Sequence, residues 1–219
     1  MIDARVRQAR SGRRLADMDI TTDRTTHDTH SQRRGRLASF GHHLLDRWPS
    51  VLGLLALLSN LPDPDPHLVA MIIILAATCY LAAAAVGSRR SVWAMVVVVS
   101  AVVILSRLTG LDPIVMVLVT GALFAVFGFL RRTGEARREV GLQALGFVGF
   151  SALALAAMMA TPVLALYLAA AVALGHTVWD VVHRRRDRVV TRSLTEACFV
   201  LDLGLGLALL GTAWTTQVL

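Results

Sequence analysis

The residues best suited to chemistry lie between Gly175 and Asp202, in GHTVWDVVHRRRDRVVTRSLTEACFVLD. Two histidines, His176 and His183, and three acids, Asp180, Glu196 and Asp202, fall in or beside two apolar segments separated by an arginine loop. His176, Asp180 and His183 follow i, i+4, i+7 spacing. At about 100° per residue that places all three within about 60° of arc, on one helix face. Ala169 and Ala173 continue the face with small side chains, which let a second helix approach closely. On the following segment Thr195, Cys198 and Asp202 share a face by the same logic, and Gly206 extends it. A connection of about ten residues makes the two segments antiparallel neighbours. Counted from their arginine-rich ends, His176 and Asp202 then lie at similar depth, roughly 10–12 Å at 1.5 Å per residue, and Asp180 is level with Cys198. The two polar faces are expected to meet.

Three chemistries would use such a meeting. A proton relay needs a group that titrates near neutrality and a carboxylate to orient it, which His176, Asp180 and Asp202 supply. A metal site would draw on Asp180 and His183, an i, i+3 carboxylate–histidine pair, although His176 and His183 are about 10 Å apart along the axis and cannot both reach one ion on a straight helix. Hydrolysis would require a placed nucleophile, and Thr177, Thr195 and Cys198 stand in no recognisable arrangement for it. Structural roles compete at each position. His183 can snorkel outward with Arg184–Arg186, Asp180 can pair with Arg185 or Arg188, and Glu196 completes a capping box with Ser193. His176 and Asp202 lie deeper, and for these two the functional reading is favoured.

The elements that carry these residues belong to a membrane. Of 219 residues 55% are hydrophobic, and the mean hydropathy is +0.61. A soluble domain of this size has too little polar surface to cover so much apolar material. The net charge of +7 comes from Arg alone, since the chain has no Lys. These arginines stand at the ends of apolar runs, where positive charge sets orientation in a bilayer, so nucleic acid is not the expected partner. The exclusive use of Arg suggests a GC-rich bacterial genome and hence a bacterial plasma membrane. Cys79 and Cys198 fall in different apolar runs on the cytoplasmic half, where free thiols behave as small hydrophobes and a disulfide is not expected.

The N-terminal 1–40 segment is polar, rich in Arg, Thr, Asp and His, and expected to be a disordered cytoplasmic tail. It lacks the apolar core of a secretory signal, and Met18 offers a second translation start. Its arginines suit anionic lipid. His27 and His30 have no further ligands beside them and read as part of the tail. Residues 41–219 read as a single all-α bundle of about seven transmembrane helices near 44–61, 68–86, 92–108, 114–130, 140–160, 163–182 and 194–214. The first is short for a bilayer, which tilt or local thinning would accommodate. Pro62–His67 reads as a rigid connector, while Asp112–Pro113 and Thr161–Pro162 have the form of an N-cap followed by proline at the first helical position. Gly141, Gly146 and Gly149 would thin one side of the fifth helix for close packing.

Loop charge tests the count. Loops 88–91, 131–139 and 183–193 carry arginines, whereas 61–67, 109–113 and 160–162 carry none, with Arg107 as the exception near the end of the third segment. The alternation places the N-terminus in the cytoplasm and the C-terminus outside. The expected function is therefore a small proton-linked carrier in the lipid bilayer, with His176, Asp180 and Asp202 as its relay and no cofactor. The alternatives are a membrane-embedded metalloenzyme acting on a lipid or small solute from the cytoplasmic side, with Asp180 and His183 as ligands, and a structural or partner-binding subunit whose buried charges fix helix register.

Overall fold

The computed structural model describes residues 47–218, so the expected tail, with His27 and His30, lies outside the described residues. Those described are all helical, with no strand. The helices are α1 (Trp48–Leu58), α2 (Pro66–Val86), α3 (Val92–Thr109), α4 (Pro113–Arg131), α5 (Gly134–Met159), α6 (Pro162–Arg186) and α7 (Arg192–Val218), with a 3₁₀ turn at Arg89–Ser91 before α3. Helices α2 to α7 are each long and apolar enough to cross a membrane, which makes six. The seventh expected span is α1, which has 11 described residues. At 1.5 Å per residue it covers about 16 Å, half of a bilayer's hydrocarbon core of about 30 Å.

Caps fix where the helices begin. Asp65 accepts the amide of His67 at the start of α2, and Asp112 accepts those of Ile114 and Val115 at 2.8 and 3.0 Å at the start of α4, each followed by proline. Thr161 precedes Pro162 at the start of α6 without a side-chain cap bond. At the end of α2, Gly87 turns left-handed with φ +71°, and the Arg132 guanidinium lies across it to bond the carbonyls of Ala85 and Val86. A cation there satisfies orphan carbonyls and complements the negative end of the helix dipole.

All of α2 to α4 is strongly apolar, so composition alone does not say which helix is enclosed. Packing does. In α2, 14 of 21 residues are buried, against three of 18 in α3 and three of 19 in α4. Helix α2 is the central helix, contacting α3, α4, α5, α6 and α7. Its Ala-rich half, Ala82–Ala85, lets neighbours approach, whereas Leu108 and Leu130 on α3 and α4 are about 80% exposed, at 79% and 80%, as lipid-facing side chains would be. Helices α6 and α7 are the most extensively paired, as the short connection between them requires. Gly206 takes the side of Leu174 and Gly146 takes Trp179, while Gly149 faces open space and does not serve the packing role expected of it.

Helix α1 rests on α7 through two glycines. A Cβ on Gly53 would stand 2.3 Å from the Ala197 carbonyl oxygen, and one on Gly204 would meet the Leu57 side chain at 2.2 Å. At the arginine-rich end, ion pairs join the helix ends: Arg89 and Arg192 to Asp187, Arg184 to Glu196 at 3.0 Å, and Arg186 to Glu139 at 3.3 Å. Asp187 itself caps α6 in a left-handed conformation, φ 51°.

Candidate functional site

The spacing along α6 and α7 turns His176, Asp180 and Asp202 toward each other in the centre of the bundle. His176 Nδ1 lies 2.8 Å from Asp202 Oδ2 and 3.7 Å from Asp180 Oδ2, and all three residues are at most 1% exposed. His176 and Asp202 stand about 15 Å along their helices from the arginine-rich end, ten residues from Arg186 and Arg192 respectively. Ala169 and Ala173 are fully buried on the same helix face, as the approach of a second helix demands. The three residues offer one ligand atom each, all within 4.8 Å of one another.

Two residues that complete the site come from other helices. The Tyr80 hydroxyl on α2 donates to Asp180 Oδ1. The same ring stands edge-on to both histidines, with centroids 5.5 Å from His176 and 5.1 Å from His183. On α5, Phe150 packs edge-on against His176 at 5.1 Å. Gln143, also on α5, lies 2.8 Å from His183 Nε2, and His183 Nδ1 donates to the Trp179 carbonyl at 2.9 Å. Sequence reasoning missed Tyr80 and Gln143. The available signal was their polarity: Tyr80 stands in the middle of its apolar segment, and Gln143 is the largest polar side chain within 140–160.

Both nitrogens of His183 are thus engaged, and no ion pair joins it to Asp180 among the described residues. The Asp180–His183 pairing considered for a metal is not assembled. His183 is buried, so it does not snorkel outward, and Asp180 bonds Tyr80 where Arg185 or Arg188 had been considered. Nor does Ser193 begin α7. Thr191 precedes the helix and its hydroxyl accepts the Leu194 amide, so Ser193 lies inside the first turn, and Glu196 bonds Ser50 and Arg184.

Within the cluster two atoms lack partners, His176 Nε2 and Asp180 Oδ2. Buried polar atoms are nearly always bonded, because leaving one unmade costs about 1–3 kcal/mol. The charge is also unbalanced. Two carboxylates face one imidazole, so an imidazolium neutralises only one of them, and a net negative charge in a membrane interior is expensive. The neutral cluster needs one further proton or one monovalent cation.

Asp202 has a second environment. It lines a cavity of roughly 220 Å³ bounded by α1, α2, α3 and α7, of whose 14 lining residues it is the sole charged one. Leu52, Ile72, Trp93 and Leu201 give the wall its apolar character, and the free thiols of Cys79 and Cys198 line it beside the acid.

The fold and site define a helical, multi-pass protein of membrane type with a buried His–Asp–Asp cluster. Comparison of the chain with protein-family models, curated proteins and solved structures gave no match.

Proposed function

We propose that the protein is a small proton-linked carrier in which His176, Asp180 and Asp202 form the relay. One observation carries the reading: a buried imidazole 2.8 Å from one carboxylate and 3.7 Å from a second, in a cluster whose charge is one proton short of neutral. A group of this kind exchanges its missing charge. Tyr80 holds Asp180 in place, and Asp202 connects the imidazole to the cavity wall. Nε2 stands open to receive a proton, and the imidazolium so formed passes its Nδ1 proton to Asp202 over a single hydrogen bond. Arginine placement supports an orientation with the arginine-rich end in the cytoplasm, and the exclusive use of Arg supports a bacterial plasma membrane.

The test is dissipation of an imposed pH gradient in proteoliposomes, read with an entrapped pH-sensitive dye. Asp202→Asn and His176→Phe are expected to lower the proton flux at least about tenfold, the effect of removing one positioned acid or base. Full flux in Asp202→Asn overturns the relay.

A second reading is favoured by the convergence of three ligand atoms within 4.8 Å. The same trio would hold a cation and make the protein a membrane-embedded metalloenzyme, with Asp202 taking the ligand position first considered for His183. Metal analysis of the purified protein separates the two, since this reading requires a stoichiometric ion that is lost in Asp180→Ala.

A further inference from the structure

The proton-linked reading leaves open what is exchanged for the proton, and the cavity beside Asp202 bears on that. Its wall is apolar apart from two thiols and one carboxylate. An apolar wall selects a hydrophobic body, and a carboxylate among its lining residues selects a hydrogen-bond-donating cation. A neutral apolar molecule would fill the space and bring the cluster no positive charge. An anion would meet the Asp202 carboxylate. The volume sets the size: a protein cavity of about 150 Å³ holds benzene, so roughly 220 Å³ suits a molecule of about nine or ten non-hydrogen atoms.

We propose that this cavity binds a lipophilic primary amine in its ammonium form, with the charged head on Asp202 and the apolar body between α1, α2, α3 and α7. This rests on the proton-linked reading and names its substrate class. The site has a single compensating charge to give. While His176 is an imidazolium, Asp202 is paired with it at 2.8 Å. When the ammonium takes Asp202, it replaces the further proton that neutralises the two carboxylates beside the imidazolium, and that proton leaves, so one cation enters and one proton departs without change in the net charge of the cluster. The groups facing Asp202 and His176 are Asp180 on α6, Tyr80 and Cys79 on α2 and Cys198 on α7, and none of them is a cation that could substitute for either. Entry is through the bilayer. Leu52 on α1, part of the wall, is 45% exposed, and α1 reaches only partway along the bundle, so an amphipathic amine already partitioned in the membrane meets the cavity from the side.

The probe is 2-phenylethylamine, with propylbenzene as its neutral counterpart of similar shape. Binding to the purified full-length protein is read from the emission of Trp93, which lines the cavity, with Trp93→Phe as the control that assigns the signal. Proton release is read in parallel in weakly buffered solution. The expected result is saturable amine binding with close to one proton released per amine bound. Asp202→Asn should weaken it at least about tenfold, the loss of one charge-assisted hydrogen bond. Ala56→Phe, which fills the cavity from the peripheral helix, should abolish it with the relay intact. Equal binding of propylbenzene, or undiminished binding in Asp202→Asn or in Ala56→Phe, overturns the assignment. If no amine binds while vesicles still carry protons, the substrate class falls and the relay stands. If amine binds with no proton released, the ammonium site stands and the exchange falls.

Discussion

Replacing His176 by Phe should destabilise the bundle more than replacing either of its carboxylate partners by Asn. The ring of Phe keeps the edge-on contacts with Tyr80 and Phe150, at 5.5 and 5.1 Å, so little packing is lost. What is lost is the sole base facing two buried acids, and breaking a buried pair in this way costs about 3–5 kcal/mol. Asp202→Asn acts differently. It keeps the shape of the side chain and leaves one imidazole facing one carboxylate, with Asp180 Oδ2 already 3.7 Å from Nδ1. A shift of under about 1 Å remakes the bond, so the loss is nearer the 1.5–3 kcal/mol of one hydrogen bond to a charged group. The expected gap is about 2 kcal/mol, roughly 30-fold in the folding equilibrium. Unfolding by SDS in mixed micelles at one fixed neutral pH, followed by Trp emission, measures both variants. The double variant His176→Phe/Asp202→Asn should be less destabilised than the sum of the two singles, because the second change removes one of the charges the first one stranded. Equal costs for the single variants, or strict additivity in the double, would refute the charge imbalance on which the functional reading stands.

Tyr80→Phe strips the donor from Asp180 Oδ1 and leaves both oxygens of that carboxylate without a hydrogen bond, so the same unfolding assay should show a loss of about 1–3 kcal/mol. Gly53→Ala and Gly204→Ala should both loosen α1 from α7, by about 1–3 kcal/mol each, yet only one should be rescuable. The Cβ at Gly204 meets the end of Leu57, so Leu57→Ala restores space, whereas at Gly53 it meets the Ala197 backbone carbonyl, which no side-chain change can move. Cysteine pairs across α1 and α7 should report the difference as reduced cross-linking in Gly53→Ala. Arg132→Ala uncovers two carbonyls at the end of α2 and should lower the melting temperature by about 2–4 °C for each kcal/mol lost.

Much of the fold was legible because a bilayer reduces the problem to one dimension. Apolar run length, cap-plus-proline starts and the alternation of arginines placed most ends of the six long helices to within two residues, and the longer departures of α5 and α6 have a visible cause. Helices α5 and α6 extend past the apolar runs by several residues, to Gly134 and Arg186, because Glu139 on α5 pairs with Arg186 and Arg188 at and beyond the end of α6 and so holds polar residues in regular structure outside the apolar zone. What run length does not carry is lateral order. Helices α2, α3 and α4 read alike as sequences, and only packing makes α2 the enclosed one, through the small residues from Ala82 to Ala85 that admit several neighbours at once.

The site divides the same way. Helical spacing was enough to predict that His176 and Asp202 meet, since both lie on faces continued by Ala or Gly and the connection between their helices is short. It was not enough to separate His176 from His183, which share one face of one helix seven residues apart. Their difference comes from helices distant in sequence: α5 supplies Gln143 opposite His183, and at the level of His176 it supplies Phe150, which offers no hydrogen bond. One imidazole is therefore bonded at both nitrogens, and the other keeps Nε2 without a partner. A relay needs the second condition, because a ring nitrogen already committed to a protein partner has to break that bond before it can take a proton. The functional assignment to His176 over His183 thus follows from what α5 places beside each ring, seven residues apart: Phe150→Gln, which offers His176 Nε2 a partner, should lower the proton flux, whereas Gln143→Leu, which frees a nitrogen on a ring bonded to the Trp179 carbonyl and to no carboxylate, should leave the flux unchanged.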